Sequence, residues 1–110
     1  MEPVTRTTLA DHVVEGGAPL DHVEVRRIVM APSVAAGPHV HNGPVFGVVE
    51  SGSVDFQVDG REAVRLRAGD VFFEPGGSVV SRFDATEEGV TFLGWFPLAA
   101  DTKPEIRLLT

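Results

Sequence analysis

The chain has 110 residues, 43% of them hydrophobic, with a formal net charge of −7 and no cysteine. That length suits one domain spanning residues 1–110, with enough apolar side chains for a core. The missing cysteine excludes disulfides, thiolate metal sites and cysteine nucleophiles, and the dispersed acidic charge repels phosphate backbones and anionic lipid, so neither nucleic acid nor a membrane is an expected partner.

Met1 to Ala10 is mixed and polar, without the apolar core of a signal peptide. No window approaches the roughly 20 apolar residues that span a bilayer. The expectation is a soluble, cytoplasmic protein. Arg6 to Glu15 reads equally as a short helix or an edge strand. Beyond it, short runs rich in valine and phenylalanine predict strands near Val23–Met30, Pro38–His41, Val45–Glu50, Val54–Val58, Ala63–Leu66, Val71–Glu74, Val79–Phe83 and Val90–Phe96. Turn signals separate them at Ser51-Gly52, Asp59-Gly60, Ala68-Gly69-Asp70, Pro75-Gly76-Gly77 and Glu87-Glu88-Gly89. Asp59-Gly60 suits a tight hairpin, because both residues tolerate positive φ. This spacing predicts an all-β fold of two packed antiparallel sheets, a barrel or sandwich with little helix. The tail after Pro97, with Ile106, Leu108 and Leu109, is expected to pack against the barrel or a second subunit.

Two stretches carry chemistry. In Pro38-His39-Val40-His41, residues two apart on a strand share a face, so His39 and His41 project together and can grip one cation. In Gly69-Asp70-Val71-Phe72-Phe73-Glu74-Pro75-Gly76-Gly77, a turn leads into an apolar strand and a sharp Pro-Gly turn. Together, over about 33–52 and 69–84, they resemble the two conserved motifs of the cupin superfamily. His39, His41 and Gly52 match the first motif in type and spacing; Ser33 replaces its leading glycine and Val45 its glutamate. Gly69, Pro75 and Gly77 match the second; Val80 replaces its histidine and Asp84 its asparagine.

The resemblance implies a jelly-roll barrel binding a small molecule, and a divalent metal, with zinc, iron, manganese and nickel as candidates. The departures bear on that metal. Two of the four usual ligand positions are valine, so His39 and His41 need a third donor for a catalytic site. His12, His22, Glu50, Gln57, Glu74 and Asp84 are the candidates, none at a family ligand position. Without a metal, the pair are hydrogen-bonded barrel histidines that still line the pocket. Arg82, two residues after Val80, is expected to share its inward face; there it forms a salt bridge to Asp84 or Glu74 at the barrel mouth, or, as the alternative, clamps a carboxylate or phosphate bidentately. Phe72, Phe73, Phe92, Trp95 and Phe96 are mostly core, with Phe92 or Trp95 facing the pocket.

The functional expectation is a small-molecule enzyme centred on His39 and His41, with Arg82 assisting. Its chemistry is of the isomerase, lyase, cyclase or oxygenase type, by metal or by imidazole general acid–base catalysis. The alternative is a metal-free binding or sensing barrel. A homodimer is expected, because small cupins commonly pair and the apolar strand region and tail need cover.

Overall fold

The computed structural model describes residues 3–16 and 19–109. Its strands are β1 (His22–Met30), β2 (His39–His41), β3 (Val45–Val58), β4 (Val64–Arg67), β5 (Val71–Glu74), β6 (Val79–Leu98) and β7 (Ile106–Leu108), with no helix among the described residues. Every pairing is antiparallel, and the seven strands form one continuous sheet.

Two long strands fold that sheet over on itself. The latter part of β6 lies between β1 and the start of β3, which in turn pairs β5. The first part of β6 lies between β2 and the end of β3, which pairs β4, while β7 closes the far side of β2. The result is a jelly-roll of two facing half-sheets that share β3 and β6.

The predicted breaks at Ser51-Gly52 and Glu87-Glu88-Gly89 fall inside these long strands. Each of those segments is where a strand bends from one half-sheet into the other, and the β3–β6 register shifts between Val49/Ser51 and Gly52/Val54. Gly52 sits at φ 74°, and a Cβ there would run into the Gly89 carbonyl, so only glycine fits this crossing. The Asp59-Gly60 turn is present, but the ladder stops at Phe56↔Val64, so the loop is longer than a two-residue hairpin. Arg6 to Glu15 forms neither helix nor strand. The tail packs against the barrel, as β7.

Alternation decides what is buried. Val45 and Val49 of β3 point inward, while Phe46 and Val48 are half-buried on the outer face. Inside, Val49, Val54, Leu66, Phe72, Val80, Phe83, Ala85, Val90 and Phe92 form the main core. The Phe83 ring stands 4.9 Å from Phe92 and 5.4 Å from Phe72, so aromatic packing joins the two half-sheets. Val45, Phe96 and Leu98 make a smaller cluster at one end.

Candidate metal centre

His39 and His41 are delivered by a three-residue strand that is tightly held. β2 is bonded between β6 and β7, with His39 opposite Val80 on one side and Leu108 on the other. Beyond it, the Asn42 side chain donates to the Lys103 carbonyl at 2.9 Å and accepts from the Glu105 N–H at 3.1 Å. The Gly77 N–H donates to the His41 carbonyl at 3.1 Å. A Cβ on Gly76 would come within 2.8 Å of the Gly43 carbonyl carbon, so the Asn42–Pro44 connection and the turn after β5 touch backbone to backbone. These contacts fix the end of β5, and with it Glu74, against β2.

Glu74 is the third member of the site. It is 3% exposed, as is His39, and its Oε2 lies 2.8 Å from His41 Nε2. A buried carboxylate is costly unless paired, and His41 is its partner. His39 Nδ1 is 2.7 Å from the Gly37 carbonyl, which can only accept, so Nδ1 carries the proton and Nε2 keeps its lone pair. One donor atom from each of His39, His41 and Glu74 falls within a 4.8 Å sphere of mutual distances. Ligands at about 2.0–2.2 Å from a cation stand roughly 3–3.5 Å apart, so a small closure brings the three onto one ion. Two imidazoles and a carboxylate on one face suit zinc or a non-haem iron triad, and the bond from His39 to Gly37 is the outer contact that orients such a ligand. The residues fit a divalent metal.

The origin of Glu74 lies in the strand register. Val45 stands where the first motif places its glutamate, and the residue opposite Val45 in the β3–β5 ladder is Glu74. The site's carboxylate therefore comes from β5, directly across the ladder from Val45. Spacing along the sequence cannot reveal this; a pairing of Val45–Val48 with Val71–Glu74 would have.

The other sequence candidates lie elsewhere. The expected salt bridge from Arg82 to Asp84 is present, Nε to Oδ2 at 3.9 Å, but the inward placement of Arg82 among the site residues is a correction: its side chain is exposed. The β3–β6 register shifts between Gln57/Arg82 and Val58/Val80, and this bulge breaks the alternation that would have put Arg82 on the face of Val80. Val80 itself is a direct neighbour of His39, not a residue across the barrel from it. Glu50 is engaged by Arg27 at 2.8 and 3.3 Å, a hydrogen bond that holds its carboxyl below the usual range. Gln57 donates to the Arg61 carbonyl, and His22 contacts Asp21 at the surface. His12 stacks on Phe73 with ring centres 4.4 Å apart. Phe92 is inward and buried; Trp95 is half-buried against a cleft of about 610 Å³ that Leu9, His12, Phe46 and Val71 also line. A second cleft, of about 880 Å³, lies between Val13–Gly16 and the Asn42–Pro44 and Pro75–Gly76 turns. Neither cleft includes His39, His41 or Glu74.

Fold and motifs agree with the comparisons. The cupin domain model matches residues 26–94, and the chain belongs to that family. A structure of the DMSP lyases RdDddP and RnDddQII superposes with a TM-score of 0.71 at 18% identity, covering 80% of this chain and 44% of that one. Oxalate oxidase in complex with the substrate analogue glycolate gives 0.67 at 22% identity, covering 79% and 46%. A cupin-like protein from Thermotoga maritima gives 0.62 at 25% identity, covering 76% and 62%. This chain spans less than half the length of the lyase and oxidase chains. No curated protein matches the sequence.

Proposed function

We propose that the protein is a small-molecule enzyme whose reaction centre is a divalent metal held by His39, His41 and Glu74. The observation that carries this reading is the buried Glu74 carboxylate facing two imidazoles, with no lysine or arginine paired to it among the described residues. A metal there would polarise a substrate oxygen or activate a bound water or O₂. Around it the chain's own residues divide the work. The Gly37 carbonyl holds His39 in one tautomer, the 2.8 Å contact keeps Glu74 and His41 close enough to share one ion, and Val45, Phe96 and Leu98 keep this end of the barrel apolar. Isomerisation, elimination, cyclisation or oxygenation of an organic metabolite all fit such a centre. Cupin relatives that include a lyase and an oxidase support the breadth of that range.

A second reading is a metal-free binding or sensing barrel. Val45 and Val80 favour it, since the two remaining motif positions offer no donor.

Titration with zinc or manganese, followed calorimetrically, decides between them. The expected result is one ion per chain, with affinity reduced by more than roughly 100-fold in Glu74→Gln, beyond the roughly 10- to 100-fold effects of outer-sphere changes, and lost in the His39→Ala/His41→Ala variant. Absence of uptake by the wild type would select the binding barrel. Chelator-resistant metal in the double variant would place the ion elsewhere.

A further inference from the structure

β1 and β7 are the edge strands on the β6 side of the two half-sheets, and no ladder joins them among the described residues. Ile106 and Leu108 of β7 pair with His41 and His39, and cross-strand partners share a face, so both point to the side of the metal centre. They are nevertheless 53% and 61% exposed. On β1, Glu24 pairs with the buried Phe96, and Arg26 with Gly94. These two side chains also face inward, and they are 42% and 47% exposed. Side chains that point into a barrel and still meet solvent mark its mouth. The approach to His39, His41 and Glu74 therefore lies between β1 and β7.

Arg26 is the only arginine or lysine at an inward strand position among the described residues: Arg27, Arg65, Arg67 and Arg107 alternate outward, and Arg82 is exposed. Its guanidinium carbon stands 5.5 Å from the centre of the Phe96 ring. The same ring centre is 6.3 Å from that of His41. Laid end to end, those distances put the guanidinium at most about 12 Å from the His41 ring. Gly94 makes the stacking possible. A Cβ there would stand 3.1 Å from the Phe96 ring, so the ring leans across Gly94 into the row of Arg26. Glu24 engages Arg26 through Nε, and the guanidinium has no other polar partner among the described residues. One pairing thus fixes the orientation of the side chain and leaves its Nη fork for a ligand. We propose that Arg26 binds a carboxylate of the substrate, which is a short organic acid entering between β1 and β7 with its carbon chain against Phe96. Charge favours an anion here. Arg26 and Glu24 cancel, while a divalent ion on Glu74 leaves the centre net positive. One planar fork suits a carboxylate; a phosphate dianion would meet the Glu24 charge with a single guanidinium to hold it. The inference rests on the metal reading only for the far end of the substrate.

Nuclear magnetic resonance titrations of the intact chain, with and without zinc, test it. The probes are butanoate, its neutral amide, butylamine and methyl phosphate, and the signal is the Arg26 Nε–H. Butanoate is expected to shift that signal saturably in both forms, and more tightly with zinc; the amide and the amine should leave it in place. Arg26→Gln should bind butanoate roughly tenfold or more weakly, since it loses a charge-assisted fork, and Arg26→Lys should fall between, keeping the charge without the fork. Zinc affinity should be the same in all three proteins, which separates an anion held by Arg26 from one held by the ion alone. Equal butanoate binding by wild type and Arg26→Gln would overturn the proposal. So would preference for the amine or the amide, or tighter binding of methyl phosphate. Arg26-dependent butanoate binding by a chain that takes up no zinc would retain the carboxylate site and sink the metal reading.

Discussion

Val80 shows what one side chain decides at the centre. It is fully buried, belongs to the main core, and is the cross-strand neighbour of His39. Val80→His would set a third imidazole beside the existing pair, at the family's own ligand position. Without metal, a fully buried imidazole with unmet hydrogen bonds should cost about 1–3 kcal/mol. With metal that loss is recovered, because the extra ligand binds the folded state alone. Zinc should therefore raise the melting temperature of the variant more than that of the wild type, measured side by side. Equal shifts would mean that the two side chains point to different faces. The histidine pair was legible from its period-two spacing. Glu74 was legible only as one of several carboxylates, because what selects it is its place opposite Val45, a relation between strands. Arg82 was misread for a related reason: a bulge near Ser81 resets the alternation, and nothing in the local sequence marks it.

At the scale of elements, the strand positions followed from turn residues and apolar runs, while the lengths of β3 and β6 did not. Glycine at Gly52 and Gly89 signals a departure from regular backbone, and a chain reversal and a bend between half-sheets use the same signal. The β3–β4 ladder offers a test through charge. Asp55 and Arg65 are register partners joined by two hydrogen bonds, of 2.8 and 3.1 Å. Those bonds, chiefly, hold the Asp55 carboxyl below its ordinary value of about 3.9. A carboxylate with a lowered folded value contributes stability above the unfolded value, and that contribution disappears as pH falls through the folded one. Asp55→Asn should therefore lower stability slightly at neutral pH and make the acid-side decline below about pH 4 shallower. Denaturant melts of both proteins between neutral and acidic pH check this; parallel pH profiles would show that the pair is unimportant.

For the whole molecule, the question is whether two half-sheets that share β3 and β6 can come apart. Their join is the aromatic cluster: Phe83, in the first part of β6, packs against Phe72 of β5 and Phe92 in the latter part of β6, and also against Phe56 at 5.9 Å. Phe83→Ala removes the ring common to those contacts and should cost about 3–5 kcal/mol. That is a large share of the 5–15 kcal/mol typical of a folded domain. The single tryptophan, Trp95, lies in the latter part of β6, on the outer face beside Phe46, away from the mutated ring's half of the sheet. Its fluorescence therefore reports on one half-sheet, while far-ultraviolet circular dichroism reports on both. Because β3 and β6 run unbroken through the two halves, neither half keeps its ladder when the other opens. Both signals should move to lower denaturant together, with a common midpoint in the variant as in the wild type. A Trp95 transition left at the wild-type midpoint while the dichroism shifts would show that the half-sheets unfold separately and that the shared strands do not couple them.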